Sequence, residues 1–352
     1  MSTEVPKFSE VFAEMTGPGG LSSPTVRRVF DAMFAGTWSP ASMAGFLISL
    51  RQTGNETASV IAAAASAMRA VMIPVTHDFA ILLDTCGTGG DGAGTLNLST
   101  GAALIASAAG VPVAKHGNRA ATSRAGSADV LEALGIPLDV PGTRQAEVLA
   151  EAQIAFLFAL AHHPAMRHVM PVRRELGVRT LFNCLGPLAN PAGATHQLVG
   201  AFDDTIRPVL AGALAELGST RAWVVRSEDG LDEMSPFART RISEVEAGRV
   251  REFSLTPEDF GLSRSPAGAI AGAEPAHNAR VLESILKNEA HPARDAILLN
   301  AAAALVVALG IEPKAATERA RGALESGAAA ETLQRLRRAA NARRAEPAGG
   351  RE

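Results

Sequence analysis

This 352-residue chain has only two cysteines and no excess of basic over acidic residues. Cys86 and Cys184 are too few for a disulfide framework, and neither has the spacing of a zinc site. We therefore expect the protein to be located in a reducing cytoplasm. The 33 basic and 36 acidic residues leave a formal net charge of -3, which disfavours a dedicated nucleic-acid-binding protein.

Targeting signals and long apolar runs are also missing. The N-terminal sequence M-S-T-E-V-P-K has no charged region followed by an apolar run, so we expect no signal peptide. The longest apolar stretches are interrupted by polar residues or belong to alanine-rich helices, so we expect no membrane span. No G-x-S-x-G nucleophile motif is present. The length and the hydrophobic content of 47% allow two domains with a large core.

The first 75 residues predict a small helical domain. Apolar residues recur there at helical spacing, and Ser23-Pro24 and Pro40 are signals of a helix start. No strand pattern occurs among them. The predicted helices cover residues 8–15, 26–34, 40–50 and 56–71.

From residue 76 to about 333, short apolar runs alternate with helical segments, which predicts an α/β domain with a mainly parallel sheet. The predicted strands are 81–83, 111–114, 155–158, 198–201 and 222–225. Residues 162–177 predict one long helix ended by Gly177. Residues 334–352 predict a basic helix end followed by a disordered tail. In such sheets ligands bind at the carboxyl ends of the strands.

A glycine-rich loop follows the first predicted strand. The sequence from Ala80 reads A-I-L-L-D-T-C-G-T-G-G-D-G-A-G-T-L-N-L-S-T, and an alanine-rich helix is predicted from Ser99 to Ala109. Glycines let backbone N–H groups converge on phosphate oxygens, and the helix N-terminus adds partial positive charge. Ser99 or the residue beside it is the expected N-cap. The loop therefore predicts an anion site.

Other interpretations of the loop stay open at this point. Gly87, Gly89 and Gly92 satisfy G-x-G-x-x-G, so a dinucleotide-binding fold is an alternative. That fold calls for an acidic residue about 20 positions later, and here the next predicted strand ends in the cationic sequence K-H-G-N-R. No Lys-Ser or Lys-Thr pair closes the glycine run as in a P-loop. A tight turn without a ligand is the remaining alternative.

Two further segments carry charge at predicted strand ends. Residues 115–129, K-H-G-N-R-A-A-T-S-R-A-G-S-A-D, are rich in phosphate donors and favour ligand binding over a solvated surface loop. Asp232 and Glu233 follow the last predicted strand. Facing two anion loops, paired carboxylates predict Mg²⁺, although alone they would suggest only a solvated acidic turn. Arg173, Arg174 and Arg179 offer guanidinium groups to a carboxylate ligand.

These motifs together resemble those of the anthranilate phosphoribosyltransferase family. The matching sequences are D-T-C-G-T-G-G-D-G-A-G-T-L-N-L-S-T, K-H-G-N-R, G-S-A-D-V-L-E-A-L-G, H-H-P-A-M-R, R-T-L-F-N-C-L-G-P-L-A-N-P and G-L-D-E. The resemblance extends from Phe8 to Leu305. It implies transfer of the phosphoribosyl group of phosphoribosyl pyrophosphate to anthranilate, the second step of tryptophan synthesis. It also implies Mg²⁺, a nucleoside phosphorylase-like fold in which a segment near 165–190 joins the helical domain, and a homodimer through the helical domains.

The resemblance also assigns site residues, but no catalytic acid or base, because the site would act by positioning and electrostatics. The residues implied for phosphoribosyl pyrophosphate are Gly87, Gly90, Asp91, Thr95, Asn97, Leu98, Ser99, Thr100, Lys115, His116, Gly117, Asn118, Arg119, Ala120, Ala121, Thr122, Ser123 and Ser127. Those implied for anthranilate are Gly87, His116, Asn118, His163, Arg173 and Pro187. Those implied for the metal are Ser99, Asp232 and Glu233. The chain departs from the Ser-Lys-rich family sequence at residues 121–125, where Thr122 keeps a hydroxyl and Arg124 a charge.

Two functional alternatives belong to other classes. A pyrimidine nucleoside phosphorylase shares the architecture but not G-T-G-G-D or K-H-G-N-R in this form, and would need phosphate and a nucleoside without Mg²⁺. A non-catalytic relative that binds nucleic acid would need a basic face, which the net charge disfavours.

Overall fold

A computed structural model describes residues 5–89, 92–120 and 124–342 of the chain. Five of the predicted site residues, Gly90, Asp91, Ala121, Thr122 and Ser123, and the predicted tail beyond Ala342 lie outside the described residues. Within the described part, no single helix is long and apolar enough to cross a membrane. One bent pair of consecutive helices, Arg294–Leu309 and Pro313–Glu325, passes that test jointly, by length and composition only.

The N-terminal region consists of four helices, as predicted. They are α1 (Phe8–Thr16), α2 (Ser23–Phe34), α3 (Pro40–Gln52) and α4 (Ala58–Ala70). Two have side-chain N-caps: Ser39 Oγ accepts from Ser42 N at 3.1 Å, and Thr57 Oγ1 accepts from Val60 N at 3.4 Å. Such caps satisfy backbone donors that the first turn of a helix leaves unpaired.

The rest of the chain is built on a seven-stranded sheet with the order β3-β2-β1-β4-β5-β6-β7. The strands are β1 (Leu83–Gly87), β2 (Val113–Gly117), β3 (Ile154–Phe158), β4 (His196–Gly200), β5 (Arg221–Ser227), β6 (Thr240–Glu246) and β7 (Arg249–Leu255). β1 to β5 are parallel, and β6 and β7 add an antiparallel edge. The mainly parallel sheet was predicted, but the β6–β7 hairpin was not, because β7 is largely exposed and reads R-V-R-E-F-S-L.

Helices cover both faces of the sheet. They are α5 (Leu98–Ala108), α6 (Ser127–Ala133), α7 (Gly142–Ala152), α8 (Ala159–His162), α9 (Met170–Leu176), α10 (Phe182–Leu188), α11 (Ile206–Glu216), α12 (Pro275–Leu286), α13 (Arg294–Leu309), α14 (Pro313–Glu325) and α15 (Ala328–Asn341). Short 3₁₀ helices span Pro164–His168 and Pro257–Phe260.

The prediction of one long helix over residues 162–177 was wrong. The segment is divided into α8, the 3₁₀ helix that starts at Pro164, and α9, which has Pro171 in its first turn. Proline lacks the N–H that a continuous helix requires and restricts the residue before it, so each of the two prolines starts a new element. Only the end was right, since Gly177 is the left-handed C-cap of α9 with φ +60°.

The sheet separates two hydrophobic clusters. Side chains alternate along its strands, so Leu198 and Val225 face one cluster while Val199 and Val224 face the other. The second cluster also contains residues of helices α1–α4 and buried residues of the segment near 165–190. This packing places the helical region against one sheet face. The domain limits at residues 75 and 333 stay predictions.

The described basic residues near the C-terminus, Arg335, Arg337 and Arg338, belong to helix α15. Arg337 pairs with Glu283 at 3.1 Å, and Arg338 pairs with Glu331 at 2.6 Å. Helix α15 therefore continues past residue 334, where only a basic helix end was expected, and contributes Leu336 to the core.

Helix α5, which follows the glycine loop, packs closely on α13, the most buried helix of the α/β region. A Cβ atom at Gly101 would lie 2.7 Å from Ile297 Cγ2 and 2.9 Å from Leu282 Cδ1. Glycine at this position is therefore what allows the two helices to approach. The position of the α5 N-terminus depends on this contact.

Two glycine-to-alanine substitutions are expected to change the free energy of unfolding in opposite directions. Gly101→Ala should lower the free energy of unfolding by about 1–3 kcal/mol through overpacking. Gly322→Ala, at an exposed position of α14 with open space around a Cβ atom, should raise it by roughly 0.5–1 kcal/mol because alanine favours a helix. Urea unfolding of the three proteins measures both changes. A Gly101→Ala protein as stable as the wild type would contradict the packing argument.

Candidate active site at the carboxyl end of the sheet

The glycine loop lies between β1 and α5 and is anchored on both sides. Strand β1 begins at Leu83 and runs through D-T-C-G, later than the apolar run that predicted it. Thr88 N donates to Gly200 O at 2.8 Å, and Leu96 N donates to Ile270 O at 2.9 Å. Between these anchors Gly89 has φ +69°, a backbone conformation that favours glycine. The loop is thus held in place by residues of β4 and of the segment before α12.

The N-terminus of α5 differs in detail from the prediction. The N-cap is Asn97, without a side-chain cap bond, so the expectation that Ser99 or its neighbour caps the helix was wrong. The Asn97 amide donates to Ala125 O at 3.1 Å, and its Oδ1 accepts from Asn278 at 3.2 Å. Asn97 therefore ties the glycine loop to the 115–129 segment. The buried Thr100 hydroxyl has no protein partner within the described ranges.

Lys115, on β2, has a buried ammonium group at the centre of the site. Its Nζ donates to Thr85 O and, at 3.3 Å, to Ser99 Oγ. Thr85 Oγ1 in turn donates to Ser99 O at 2.9 Å. Burial lowers the pKa of Lys115, while the nearby Asp84 carboxylate opposes that change. Lys115 thus joins the middle of β1 and of β2 to the first turn of α5.

The acidic pair lies in the loop after β5 and reaches the same helix turn. Glu233 Oε1 accepts from Ser99 N at 3.2 Å. The Asp232 carboxylate lies beside the glycine loop, because a Cβ atom at Gly87 would be 3.1 Å from Asp232 Oδ2. Carboxylate and hydroxyl oxygens are ligands that Mg²⁺ prefers. Asp232, Glu233 and Ser99 therefore fit the magnesium ion that the resemblance implies.

These protein oxygens alone do not complete a metal site. Across residues 5–89, 92–120 and 124–342, no group of three or more His, Cys, Asp or Glu side chains could hold a metal ion. Mg²⁺ is typically bound by one or two carboxylates together with water and substrate phosphates. The arrangement thus fits a metal that arrives with, or is completed by, a phosphorylated ligand.

The 115–129 segment closes on itself through Asp129. Its Oδ2 accepts from Ala120 N at 3.0 Å and from Gly126 N at 2.9 Å. A Cβ atom at Gly126 would be 2.3 Å from Ala120 N, so only glycine permits this closure. Ser127 Oγ donates to Asn118 O at 3.4 Å. The backbone around Gly117, Asn118 and Ala120 is thereby placed beside β2.

Arg119 is oriented differently from what a phosphate ligand requires. Its guanidinium pairs with Asp129 at 2.8 Å and Glu132 at 2.9 Å, and these partners raise its pKa. In this structure the Arg119 side chain therefore contacts helix α6. The role predicted for it in phosphate binding has no support from the position of its side chain.

His116 and His163 form a buried pair on the side of β2 that faces α10. Their ring centroids are 5.2 Å apart. Burial lowers the pKa of His116 to about 3 and that of His163 to about 4, so both rings are neutral at neutral pH. His116 Nδ1 lies 2.9 Å from Gly186 O. Since a carbonyl oxygen only accepts, Nδ1 carries the proton and the buried Nε2 has a lone pair without a partner among the described residues.

Arg173 lies near the same helix. Its guanidinium stacks over Phe182 at 5.5 Å, one helical turn before Gly186 on α10. Its Nη1 lies 3.9 Å from Met170 Sδ, it forms no ion pair among the described residues, and burial lowers its pKa. Arg174 is exposed, as expected if only one of the two arginines faces the site. Arg179 lies elsewhere, over Phe202 at 4.5 Å.

Several of the predicted site residues therefore fall into two adjoining groups. The phosphate side comprises Gly87, Ser99, Lys115, Asp232 and Glu233. Leu98, also predicted for this side, has its side chain in the hydrophobic core instead. The other side comprises His116, His163, Arg173 and Pro187. Sequence reasoning missed Thr85, Asp84 and Asn190, which hold these groups in place. The only signal was a charged residue, Asp84, next to an apolar run.

Comparisons with known proteins agree with this arrangement. Residues 80–330 match the glycosyl transferase family, a/b domain, and residues 15–72 match its helical bundle domain. The chain is 49% identical over 317 residues to anthranilate phosphoribosyltransferase of Rhodospirillum rubrum, covering 90% of this chain and 91% of the relative. It is 46% identical to the Myxococcus xanthus enzyme of the same name, covering 94% and 98%.

The chain belongs to the anthranilate phosphoribosyltransferase family. The Thermus thermophilus enzyme of this family, TrpD, has a structure with a TM-score of 0.89 to this chain at 44% identity, covering 95% of this chain and 99% of that one. The Saccharomyces cerevisiae enzyme, solved in complex with PRPP and Mg, has a TM-score of 0.86 at 29% identity, covering 95% and 97%. The predicted family and fold class are confirmed.

The buried histidine pair predicts a specific sensitivity to acid. An unfolded histidine, with a pKa of about 6.5, binds a proton that folded His163, with a pKa of about 4, does not bind. The unfolded state therefore binds more protons, and stability falls as the pH falls. Between pH 6 and pH 4.5, the free energy of unfolding of the wild type should fall by about 1 kcal/mol more per pH unit than that of His163→Phe. Urea unfolding across this range measures the difference, and equal slopes would contradict the neutral buried imidazole.

Proposed function

We propose that this chain transfers the 5-phosphoribosyl group of phosphoribosyl pyrophosphate to the amine of anthranilate, giving N-(5-phosphoribosyl)anthranilate and pyrophosphate. This is the second step of tryptophan biosynthesis. The proposal rests on two groups of residues that lie next to each other. One is the anion loop with the acidic pair Asp232-Glu233, and the other contains Arg173, which has no carboxylate partner in the described chain. The relatives named anthranilate phosphoribosyltransferase support the same activity.

On the phosphate side, the glycine loop and the first turn of α5 would bind the pyrophosphate. Backbone N–H groups and the partial positive charge of the helix N-terminus suit this anion. Asp232, Glu233 and Ser99 would hold Mg²⁺, which when bound neutralises charge on the departing pyrophosphate. Lys115 fixes the geometry of this group through Thr85 and Ser99.

On the acceptor side, Arg173 would bind the anthranilate carboxylate with parallel hydrogen bonds. The amine nitrogen forms a bond to C1 of the ribose as the bond from C1 to the pyrophosphate oxygen breaks, and pyrophosphate leaves with the electron pair. His116 Nε2 would accept a hydrogen bond from the amine. With a pKa of about 3, it orients the amine without acting as a strong base. The product ammonium is acidic enough to lose its proton without one.

We also propose a cytoplasmic homodimer formed through the helical domain. Both cysteines are free in the described chain, which suits a reducing compartment. Large apolar side chains on α1 and α3 are exposed, with Phe12 at 41% and Ile48 at 37%. Burial of these residues against a second copy would remove apolar surface from water.

The direct test of the function follows anthranilate fluorescence in the presence of the purified chain. Fluorescence should fall only when phosphoribosyl pyrophosphate and Mg²⁺ are both present, and omission of either should stop the reaction. Phosphorolysis of a pyrimidine nucleoside without Mg²⁺, together with no loss of anthranilate, would instead favour the nucleoside phosphorylase alternative.

The acceptor side can be tested separately through its arginine. Loss of one partner of a buried charged pair costs roughly 2–5 kcal/mol, or about 30-fold or more in affinity. Arg173→Ala should therefore raise the KM for anthranilate at least about 30-fold, with little change for phosphoribosyl pyrophosphate. Arg174→Ala, an exposed neighbour, is the matched control and should have a mild effect. A larger effect from Arg174→Ala, or equal effects on both substrates, would remove the carboxylate role from Arg173.

A further inference from the structure

A fully buried carboxylate, that of Asp84 on β1, lies behind the acceptor side of the site. Its Oδ1 accepts from His116 N at 3.0 Å, and its Oδ2 accepts from Asn190 Nδ2 at 2.8 Å. Asn190 Nδ2 also donates to Ala114 O at 2.8 Å, and its Oδ1 accepts from Ala192 N at 2.8 Å. Asp84 therefore joins β2 to the segment that follows α10.

The C-terminal turn of α10 is held by side chains from three other elements. The carbonyl of Gly186 faces His116 Nδ1 at 2.9 Å, and that of Pro187 accepts from Gln197 Nε2 at 2.6 Å. The carbonyl of Leu188 accepts from Arg69 Nε at 2.7 Å. The last carbonyls of a helix have no partner within the helix, so these side chains determine where the turn lies.

Asp84 is hydrogen-bonded both to His116 on β2 and to Asn190 after α10. Through the backbone N–H of His116 it fixes the residue whose ring contacts Gly186. Through Asn190 it fixes the chain two residues after α10. In the sheet, Asp84 also lies in register with Gln197, which holds Pro187. Asp84 is thus bonded to both sides of the space between the His116 ring and the Gly186-Pro187 turn, whose carbonyls Gln197 and Arg69 also hold.

The buried Lys115 ammonium, whose pKa the Asp84 carboxylate holds up against burial, accounts for a negative charge at this place. It does not account for the directions of the hydrogen bonds that Asp84 accepts. Asp84 has two hydrogen-bond donors with different positions, and each of its oxygens accepts from one of them. An amide would present only one acceptor to these two donors.

We propose that Asp84, together with Asn190, is a positioning residue for the acceptor substrate, holding His116 and the Gly186-Pro187 turn at the separation that anthranilate requires. The inference rests on the proposed function. Asp84 and Asn190 would not contact substrate themselves and would act through His116 and α10.

The test compares the Michaelis constants of Asp84→Asn, Asn190→Ala and the double variant. Each single change should raise the KM for anthranilate about tenfold. The KM for phosphoribosyl pyrophosphate should change less than about threefold in Asn190→Ala, which leaves the charge beside Lys115 in place, and by a smaller factor than the anthranilate constant in Asp84→Asn. The double variant should show less than the product of the two single effects, because both changes break the same hydrogen bond. Partial unfolding lowers the active concentration and hence the apparent kcat, but leaves KM unchanged.

Glu244→Gln is the matched control. Glu244 is also a buried carboxylate, bonded to Trp223 Nε1 at 2.8 Å, but it lies on β6 away from α10. The control should lower the thermal transition without changing either KM. If the Asp84 and Asn190 variants behave in the same way, or shift both constants equally, the positioning role is overturned. A wild type that does not consume anthranilate would refute the proposed function instead, so the two failures are distinguishable.

Discussion

One buried ammonium group, that of Lys115, connects the elements on which the site depends. It joins the middle of β1 at Thr85 to the first turn of α5 at Ser99, where Glu233 also binds the backbone. A buried cation must be compensated, and here a backbone carbonyl, a hydroxyl and the field of nearby carboxylates do so. Because these groups come from β1, from α5 and from the acidic loop, the cation fixes the start of α5 relative to the acidic loop before any ligand binds.

The same strand that carries Lys115 continues into His116, which faces the opposite half of the site. Adjacent residues of a strand point to opposite faces of the sheet. The ammonium of Lys115 therefore contacts α5, while the ring of His116 contacts α10. Two neighbouring residues of β2 thus link the phosphate side to the acceptor side. A transferase that joins two substrates needs their reacting atoms held in a fixed geometry, and this strand supplies such a frame.

The sequence supported much of this account, but not all of it. Glycine runs, strand–helix alternation and the Asp232-Glu233 pair are local patterns, so the parallel sheet, the anion loop and the acidic pair could be recognised. The break at Pro164 could have been predicted too, because proline interrupts a helix locally. The β6–β7 edge and the orientation of Arg119 could not, because they depend on tertiary partners, which for Arg119 are Asp129 and Glu132. Asp84 was missed for the same reason, since its partners are 32 and 106 residues away.

We have proposed that Asp232, Glu233 and the α5 N-terminus together bind a metal–pyrophosphate. A crystal structure of the chain with phosphoribosyl pyrophosphate and Mn²⁺, used as an anomalous scatterer in place of Mg²⁺, would locate both the metal and the pyrophosphate. We expect an anomalous peak about 2.0–2.3 Å from carboxylate oxygens of this pair, with the pyrophosphate over the first turn of α5. A pyrophosphate bound elsewhere, or a metal peak without contact to Asp232 or Glu233, would contradict the account.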